Sequence, residues 1–367
     1  MKTSIPLLTP YKMGEFELSH RVVLAPLTRQ RSPGGVPQPQ HAAVYYSQRA
    51  TAGGFLISEA TLVSDTAAAR EYFGDVPGIW APEHVDSWRP VVDAVHAKGA
   101  VFFCQLWHVP RRRRQEEKIM QQVSPQMSFD GRREELSSPR RVAAVDAPGV
   151  VECFRAAARN AVDAGFDGVE ILGANAYFVS SSNAGAEDDD ETGGGGIESS
   201  RSRIRFATEV ISAVVGEVGA HRVGIRLDQF SSSTSGDLAA AGAGAEEEED
   251  LALEIVERLN GYGVLYCHMI EPRVAGRRLG LSRRLAPFRE AFGGTFIASG
   301  GYRREEGDRA VGEGYADLVA FGRLFLANPD LPRRFELDAP LNDCDKATFY
   351  GGGDPAVGYT DYPFLAS

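Results

Sequence analysis

Short apolar runs alternate with amphipathic stretches along most of the chain. The stretches 83–98, 151–164, 205–218 and 250–259 have the apolar spacing of helices. Glycines such as Gly99 and Gly165 follow these stretches, where a glycine commonly ends a helix. The apolar runs are nearly continuous rather than alternating, which is typical of strands buried on both faces. Eight such runs predict β-strands at residues 21–26, 54–58, 100–106, 168–172, 222–227, 264–269, 295–299 and 318–321.

Eight units of a strand followed by a helix predict an α/β fold, a (β/α)8 TIM barrel formed by one domain over residues 1–367. A doubly wound open sheet is the alternative, and the lack of a GxGxxG motif after the first strand favours the barrel. Long polar connections cover residues 110–147, 180–202 and 228–249. In a barrel we expect such loops on the C-terminal face, where active sites of this fold form.

Composition excludes several classes of protein. A net charge of −11 argues against nucleic acid as a partner. No apolar run reaches the ~18 residues needed to span a bilayer, and the first residues lack the apolar core of a signal peptide. The four cysteines are widely spaced, without a CxxC pair or the spacing of a metal site, which favours a reducing compartment. These features together lead us to expect a cytoplasmic protein that has no membrane partner.

Polar residues at the ends of the predicted strands are the candidates for chemistry. Gly301, Gly322 and Arg323 follow the last two strands, where barrels often bind phosphate. Turn glycines and a surface arginine would give the same pattern. Gln105 and Arg226 would lie inside the barrel mouth, where they need polar partners. A flat heterocycle with several carbonyl groups would satisfy both, as would an internal salt bridge or hydrogen bonds to the backbone.

Several segments carry a family resemblance. The chain resembles the old yellow enzyme family of flavin-dependent ene-reductases, in particular the plant 12-oxophytodienoate reductase branch. LSHRVVLAPLTRQRS is one matching segment, and AARNAVDAGFDGVEI is another. The matches cover most of the chain, at residues 18–32, 42–61, 77–109, 157–171, 222–227, 263–273, 316–342 and 358–365.

The resemblance implies non-covalently bound FMN at the barrel mouth. Thr28 would donate a hydrogen bond to the flavin carbonyl O4, and Gln105 and Arg226 would bind the pyrimidine edge. The glycines and Arg323 would hold the phosphate. The family's flavin-binding residues fall on Pro26, Leu27, Thr28, Ala60, Gln105, Arg226, Gly301, Gly322 and Arg323.

The resemblance also implies a reaction, the reduction of the C=C bond in α,β-unsaturated carbonyl compounds with NADPH as the reductant. NADPH reduces FMN, and the flavin then delivers hydride to the β-carbon of an enone substrate, such as a 12-oxophytodienoate-like oxylipin. Tyr177 matches the catalytic proton donor, and Asn175 matches the second member of a pair that binds the substrate carbonyl. Arg273 and Tyr350 match further residues on the substrate side.

The sequence departs from the family on the substrate side. The first member of the carbonyl-binding pair is Leu172, which cannot donate a hydrogen bond. The segment after Tyr177, the residues that begin at Pro110 and those after Asp228 also differ from the family pattern.

Three interpretations stay open. The chain is an ene-reductase with altered substrate preference, an FMN-binding protein with weak or no turnover, or a copy that folds without a catalytic role.

Overall fold

The structure is a computed structural model that describes residues 5–66, 69, 73–109, 147–173, 200–227, 242–271, 273–274, 277–278 and 283–366. For residues 200–203, 242–248, 273–274 and 277–278 it describes the backbone alone. The strands are β1 (Tyr11–Met13), β2 (Phe16–Leu18), β3 (Val22–Leu24), β4 (Phe55–Ile57), β5 (Thr61–Leu62), β6 (Val101–Trp107), β7 (Gly168–Leu172), β8 (Val223–Leu227), β9 (Tyr266–Ile270), β10 (Arg273–Val274), β11 (Arg277–Arg278), β12 (Thr295–Ser299) and β13 (Leu318–Phe321).

Eight parallel strands close into a barrel. Neighbouring strands pair in the order β3, β4, β6, β7, β8, β9, β12 and β13, and β13 pairs again with β3. Each barrel strand overlaps one of the eight predicted runs. The predicted (β/α)8 barrel is therefore confirmed, and the open sheet is wrong because the strand order returns to its start.

Helices cover the outside of the barrel. They are α1 (Pro39–Arg49), α2 (Pro82–His96), α3 (Ala147–Asp163), α4 (Ser200–Val218), α5 (Gly242–Tyr262), α6 (Ala286–Ala291), α7 (Arg304–Gly312), α8 (Arg323–Ala327) and α9 (Leu331–Leu337). The predicted long connections lie largely outside the described residues. The third of them is shorter than predicted, because α5 begins at Gly242. Alanine and glutamate, which dominate residues 243–249, are strong helix formers, so they extend the helix backwards.

The N-terminal end of the barrel is closed by the hairpin of β1 and β2. Phe16 of this hairpin packs edge-on against Phe103 inside the barrel, with ring centroids 5.7 Å apart. Gly224 leaves room for the ring of Tyr266, since a Cβ at this glycine would lie 2.0 Å from the ring. A cluster of apolar side chains, the apolar plug, thus fills the N-terminal half of the barrel. The opposite end, formed by the C-terminal ends of the strands, is the mouth.

No helix in the described part of the chain is both long enough and apolar enough to cross a membrane.

Candidate active site

A buried polar network lies inside the barrel, above the apolar plug. Gln105 Nε2 donates to Glu170 Oε1 at 2.6 Å, and Glu170 Oε2 lies 2.8 Å from His268 Nδ1. His268 Nε2 in turn lies 3.0 Å from Ser299 Oγ. Glu170 and His268 are both fully buried. Because β8 runs between β7 and β9, a contact between Glu170 and His268 is possible only across the barrel interior.

Glu170 is the one acid in this network. Burial by itself would raise its pKa, but the contact with His268, the charge of Arg226 and the hydrogen bond from Gln105 hold the pKa below its ordinary value, while burial lowers the pKa of His268. The carboxylate is therefore ionised at neutral pH. It fixes the amide of Gln105 and balances the positive charge of Arg226, so both side chains are pre-oriented below the mouth.

Arg226 lies on β8, directly opposite Leu172 of β7 and His268 of β9 in the strand register. Its Nε is buried and has no hydrogen-bond partner among the described residues. A buried donor without a partner is costly, so this position suits a ligand that carries an acceptor.

Leu172 stands at the end of β7, two residues after Glu170. Side chains two apart on a strand point to the same side, so Leu172 faces the barrel axis one step closer to the mouth. It is half-buried, and the backbone N–H of Gly173 donates to the carbonyl of Arg226 at 2.8 Å, which fixes the strand end. An apolar surface therefore lies beside the guanidinium.

The ends of β12 and β13 lie side by side, as Ile297 pairs with Leu318. Gly300 and Gly301 follow β12 with φ angles of 129° and 93°, which other residues rarely adopt. Gly322 precedes α8, and Arg323, its first residue, is exposed. Two stretches of accessible backbone and a cation thus meet at one side of the mouth, an arrangement that suits a phosphate group.

The segment after β3 lies against the same side of the mouth. In this segment Pro26 is buried and Thr28 is half-buried; Ala60, which follows β4, is also buried. Leu27 packs in one apolar cluster with Tyr350 and with Leu326 and Ala327 at the end of α8. A Cβ at Gly322 would lie 3.2 Å from Leu27, which shows how closely the two segments approach.

Three predicted site residues are described partly or not at all. Asn175 and Tyr177 lie outside the described residues. Arg273 begins β10, which pairs with β11 in a short hairpin after β9, and only its backbone is described. The structure therefore places Gln105 and Arg226 around Glu170 and brings Leu27 close to Gly322, while the flavin-binding roles, the proton donor and the carbonyl ligand stay predictions.

Glu170 and His268 are not among the predicted site residues. A signal was available for Glu170, since an acid within a buried strand needs a partner. No group of acids, histidines and cysteines that could hold a metal ion occurs among the described residues.

Comparison with known proteins places this geometry in a family. The sequence model of the NADH:flavin oxidoreductase / NADH oxidase family matches residues 6–342. The chain is 54% identical to 12-oxophytodienoate reductase 2 of Arabidopsis thaliana, over 100% of this chain and 97% of that protein. It is also 54% identical to 12-oxophytodienoate reductase 1 of Oryza sativa subsp. japonica, over 99% of this chain and 94% of that protein.

Solved structures agree with these sequence relatives. Morphinone reductase superposes with a TM-score of 0.78 at 38% identity, covering 100% of this chain and 98% of that one. The structure of morphinone reductase in complex with tetrahydroNAD gives a TM-score of 0.76 at 37% identity, covering 98% of both chains. The chain therefore belongs to the NADH:flavin oxidoreductase / NADH oxidase family, the old yellow enzyme family of FMN-dependent oxidoreductases.

Proposed function

We propose that this protein is an NADPH-dependent flavin ene-reductase that reduces the C=C bond of α,β-unsaturated carbonyl compounds. The observation that carries the proposal is the buried Nε of Arg226, which has no partner among the described residues and lies beside an ionised network. A flavin pyrimidine edge offers the acceptors that this donor needs.

The residues at the mouth fit FMN in two further ways. Gln105 uses one amide hydrogen on Glu170, which leaves its second hydrogen and its oxygen for a ring edge. The glycine backbone after β12, together with Gly322 and Arg323, suits the phosphate. Pro26, Leu27, Thr28 and Ala60 would border the ring, with the Thr28 hydroxyl as a donor to its carbonyl.

Bound FMN would supply hydride transfer, from a reduced nicotinamide nucleotide to the substrate double bond. The chain's own residues would handle the charge and the proton. Arg226 would stabilise negative charge on the ring, Asn175 would donate to the substrate carbonyl, and Tyr177 would give a proton to the α-carbon. Arg273 and Tyr350 would border the substrate.

The substrate class that we propose includes cyclic enones such as 12-oxophytodienoate, which would place the protein in oxylipin and lipid metabolism. Support comes from the names of the relatives, which are 12-oxophytodienoate reductases at 54% identity over nearly the whole chain.

A second candidate function is that of an FMN-binding protein with weak or no turnover. Leu172 favours it, because an alkyl side chain faces the mouth where a hydrogen-bond donor to the substrate carbonyl is required. The flavin-facing residues do not depend on this position, so cofactor binding and turnover can be separated.

One experiment distinguishes the two candidates. Purified protein is reduced anaerobically with NADPH or NADH, and the reduced protein is mixed with 2-cyclohexenone or 12-oxophytodienoate in a stopped-flow spectrometer. We expect a yellow protein that NADPH bleaches and that the enones reoxidise. Bleaching without reoxidation by any enone would support the second candidate, and colourless protein that takes up no FMN would refute both.

A further inference from the structure

Arg29 directly follows Thr28, and it is a fully buried arginine outside the barrel mouth. Its guanidinium donates to three backbone carbonyls of the C-terminal segment: Nε to Phe349 at 3.0 Å, and Nη2 to Thr348 at 3.3 Å and Gly358 at 2.7 Å. It also lies 5.1 Å from the ring centre of Tyr359, within cation–π distance. Arg29 thus ties the segment after β3 to residues 348–358, together with Arg31, whose Nη2 donates to the carbonyls of Thr348 at 3.1 Å and Val357 at 2.9 Å.

Glu59, which directly precedes Ala60, holds the other side of this arginine. Its Oε2 accepts the backbone N–H of Arg29 at 3.0 Å, and its own N–H donates to the hydroxyl of Tyr46 at 2.9 Å. Burial raises the pKa of Glu59 to about 7, although the N–H and the charge of Arg29 oppose that rise. The carboxyl group is therefore a buried acid that the backbone N–H groups of Arg29 and Gln30 and the charges of Arg29 and Arg31 stabilise.

The backbone directly after Arg29 has a strained conformation. Gln30 has a φ of 52°, a left-handed conformation that a residue with a side chain seldom adopts. Gly351 packs directly on this residue, since a Cβ there would lie 1.8 Å from the carbonyl oxygen of Gln30. Such a conformation persists only where its surroundings enforce it, and here Glu59 and the C-terminal segment do so.

The two segments joined by Arg29 both carry residues assigned above to the mouth. Thr28 is its neighbour in sequence, and Tyr350 lies one residue after Phe349. Ala60 is next to Glu59. None of these contacts involves the barrel interior, so the fold of the barrel does not require them.

We propose that Arg29, held by Glu59, is a positioning residue for the flavin, which fixes Thr28 and Tyr350 relative to each other. The inference rests on the proposed function, because it takes FMN as the ligand of the mouth. Without the forked guanidinium the two segments lose the three hydrogen bonds of Arg29 and keep those of Arg31, so the Thr28 hydroxyl is positioned less firmly and FMN is held less tightly.

The test compares two buried arginines that both donate to backbone carbonyls. Arg334 donates to the carbonyls of Pro340 and Pro363 (the latter at 2.9 Å) and pairs with Asp330, and none of its hydrogen bonds among the described residues goes to a residue assigned to the mouth. Arg29→Lys and Arg334→Lys each replace a fork by a single ammonium group. FMN dissociation constants are measured by fluorescence quenching on the apoproteins, alongside apoprotein melting temperatures and the midpoint potential of the bound flavin.

We expect both substitutions to lower the apoprotein melting temperature, and only Arg29→Lys to raise the FMN dissociation constant, by about tenfold, the equivalent of one charge-assisted hydrogen bond. It should also lower the midpoint potential, because Thr28 no longer stabilises the reduced ring. If Arg29→Lys binds FMN as wild type does, or if both variants weaken FMN equally, Arg29 is a structural residue and the inference is wrong.

A milder variant covers the case in which Arg29→Lys does not fold. Glu59→Gln keeps the size of the side chain and removes its charge, and we expect a smaller rise in the FMN dissociation constant with little change in melting temperature. An unchanged dissociation constant in this variant would refute the inference. If wild-type apoprotein binds no FMN, the proposed cofactor is wrong, and the inference about Arg29 is then wrong as well.

Discussion

Replacing Leu172 by histidine tests the step that the sequence puts in doubt. Leu172 faces the barrel axis at the mouth, two residues beyond the buried Glu170 and opposite Arg226 on the next strand. A histidine here would offer an N–H to a substrate carbonyl. The positive charge of Arg226 nearby disfavours a second positive charge, so the imidazole should be neutral and act as a donor through one nitrogen.

The expected gain follows from the value of one such donor. Removing a single donor to a developing oxyanion slows a reaction by ~10²–10³, which is roughly 3–4 kcal/mol of transition-state stabilisation. In the wild-type chain Asn175 would bind the carbonyl alone. An introduced donor should recover only part of this loss, because the surrounding residues do not hold it in the optimal position. We therefore expect Leu172→His to accelerate reoxidation of the reduced flavin by 2-cyclohexenone by roughly 10-fold to 100-fold.

The assay is stopped-flow spectroscopy of the two half-reactions. Flavin reduction by NADPH should change much less, since the nicotinamide becomes positively charged as it gives up hydride and builds no negative charge on a carbonyl oxygen. Leu172→Phe is the matched control, because phenylalanine has nearly the size of histidine but no donor. If Leu172→His leaves reoxidation unchanged while FMN stays bound, or if the phenylalanine variant accelerates it as much, position 172 does not act as a carbonyl ligand.

Four further outcomes are expected. Tyr177→Phe should slow reoxidation by an enone at least about tenfold and leave flavin reduction unchanged, and equal slowing of both half-reactions would argue against a proton donor. Arg226→Met should raise the FMN dissociation constant about tenfold or more, measured by fluorescence titration, since it removes a charged donor. Glu170→Gln should lower the free energy of unfolding by about 3 kcal/mol in urea titrations, because it unbalances a buried ionic network. The hydrogen bond to Asp167 raises the pKa of His96. Protonated His96 therefore stabilises the folded protein in acid, and this stabilisation is lost as the pH rises through that pKa. NMR titration should show the raised pKa of His96, and Asp167→Asn should lower it.

The barrel itself could be predicted from sequence because its signal is local. Eight strands buried on both faces give eight continuous apolar runs, and each run predicts its strand without reference to the rest of the chain. The residues at strand ends could be placed for the same reason, since the end of a run marks the mouth. Gln105 and Arg226 lie around the buried carboxylate of Glu170, which the pattern of strand ends does not predict.

What could not be predicted depends on contacts between distant parts of the chain. Gln105 and Glu170 are 65 residues apart, and Glu170 and His268 are 98 apart. Arg29 and Phe349 are 320 residues apart, so the full burial of Arg29 depends on partners that its own segment does not reveal. The start of α5 was missed for a different reason: its glutamates were interpreted as a solvated loop, whereas their helix propensity extends the helix.

The residues proposed to retain FMN and the position proposed to limit turnover lie in different parts of this molecule. Arg29 and Glu59 join the segments after β3 and β4 to the C-terminal segment outside the barrel, and Leu172 faces the barrel axis from β7. The two groups share no hydrogen-bond partner among the described residues, so their substitutions should act independently. In the double variant of Arg29→Lys and Leu172→His, the loss in FMN affinity and the gain in the reoxidation rate should each equal that of the single variant. If the effects of the two substitutions do not add, the flavin moves when Arg29 is replaced. The size of the deviation from additivity would then measure how strongly the position of the cofactor limits hydride transfer.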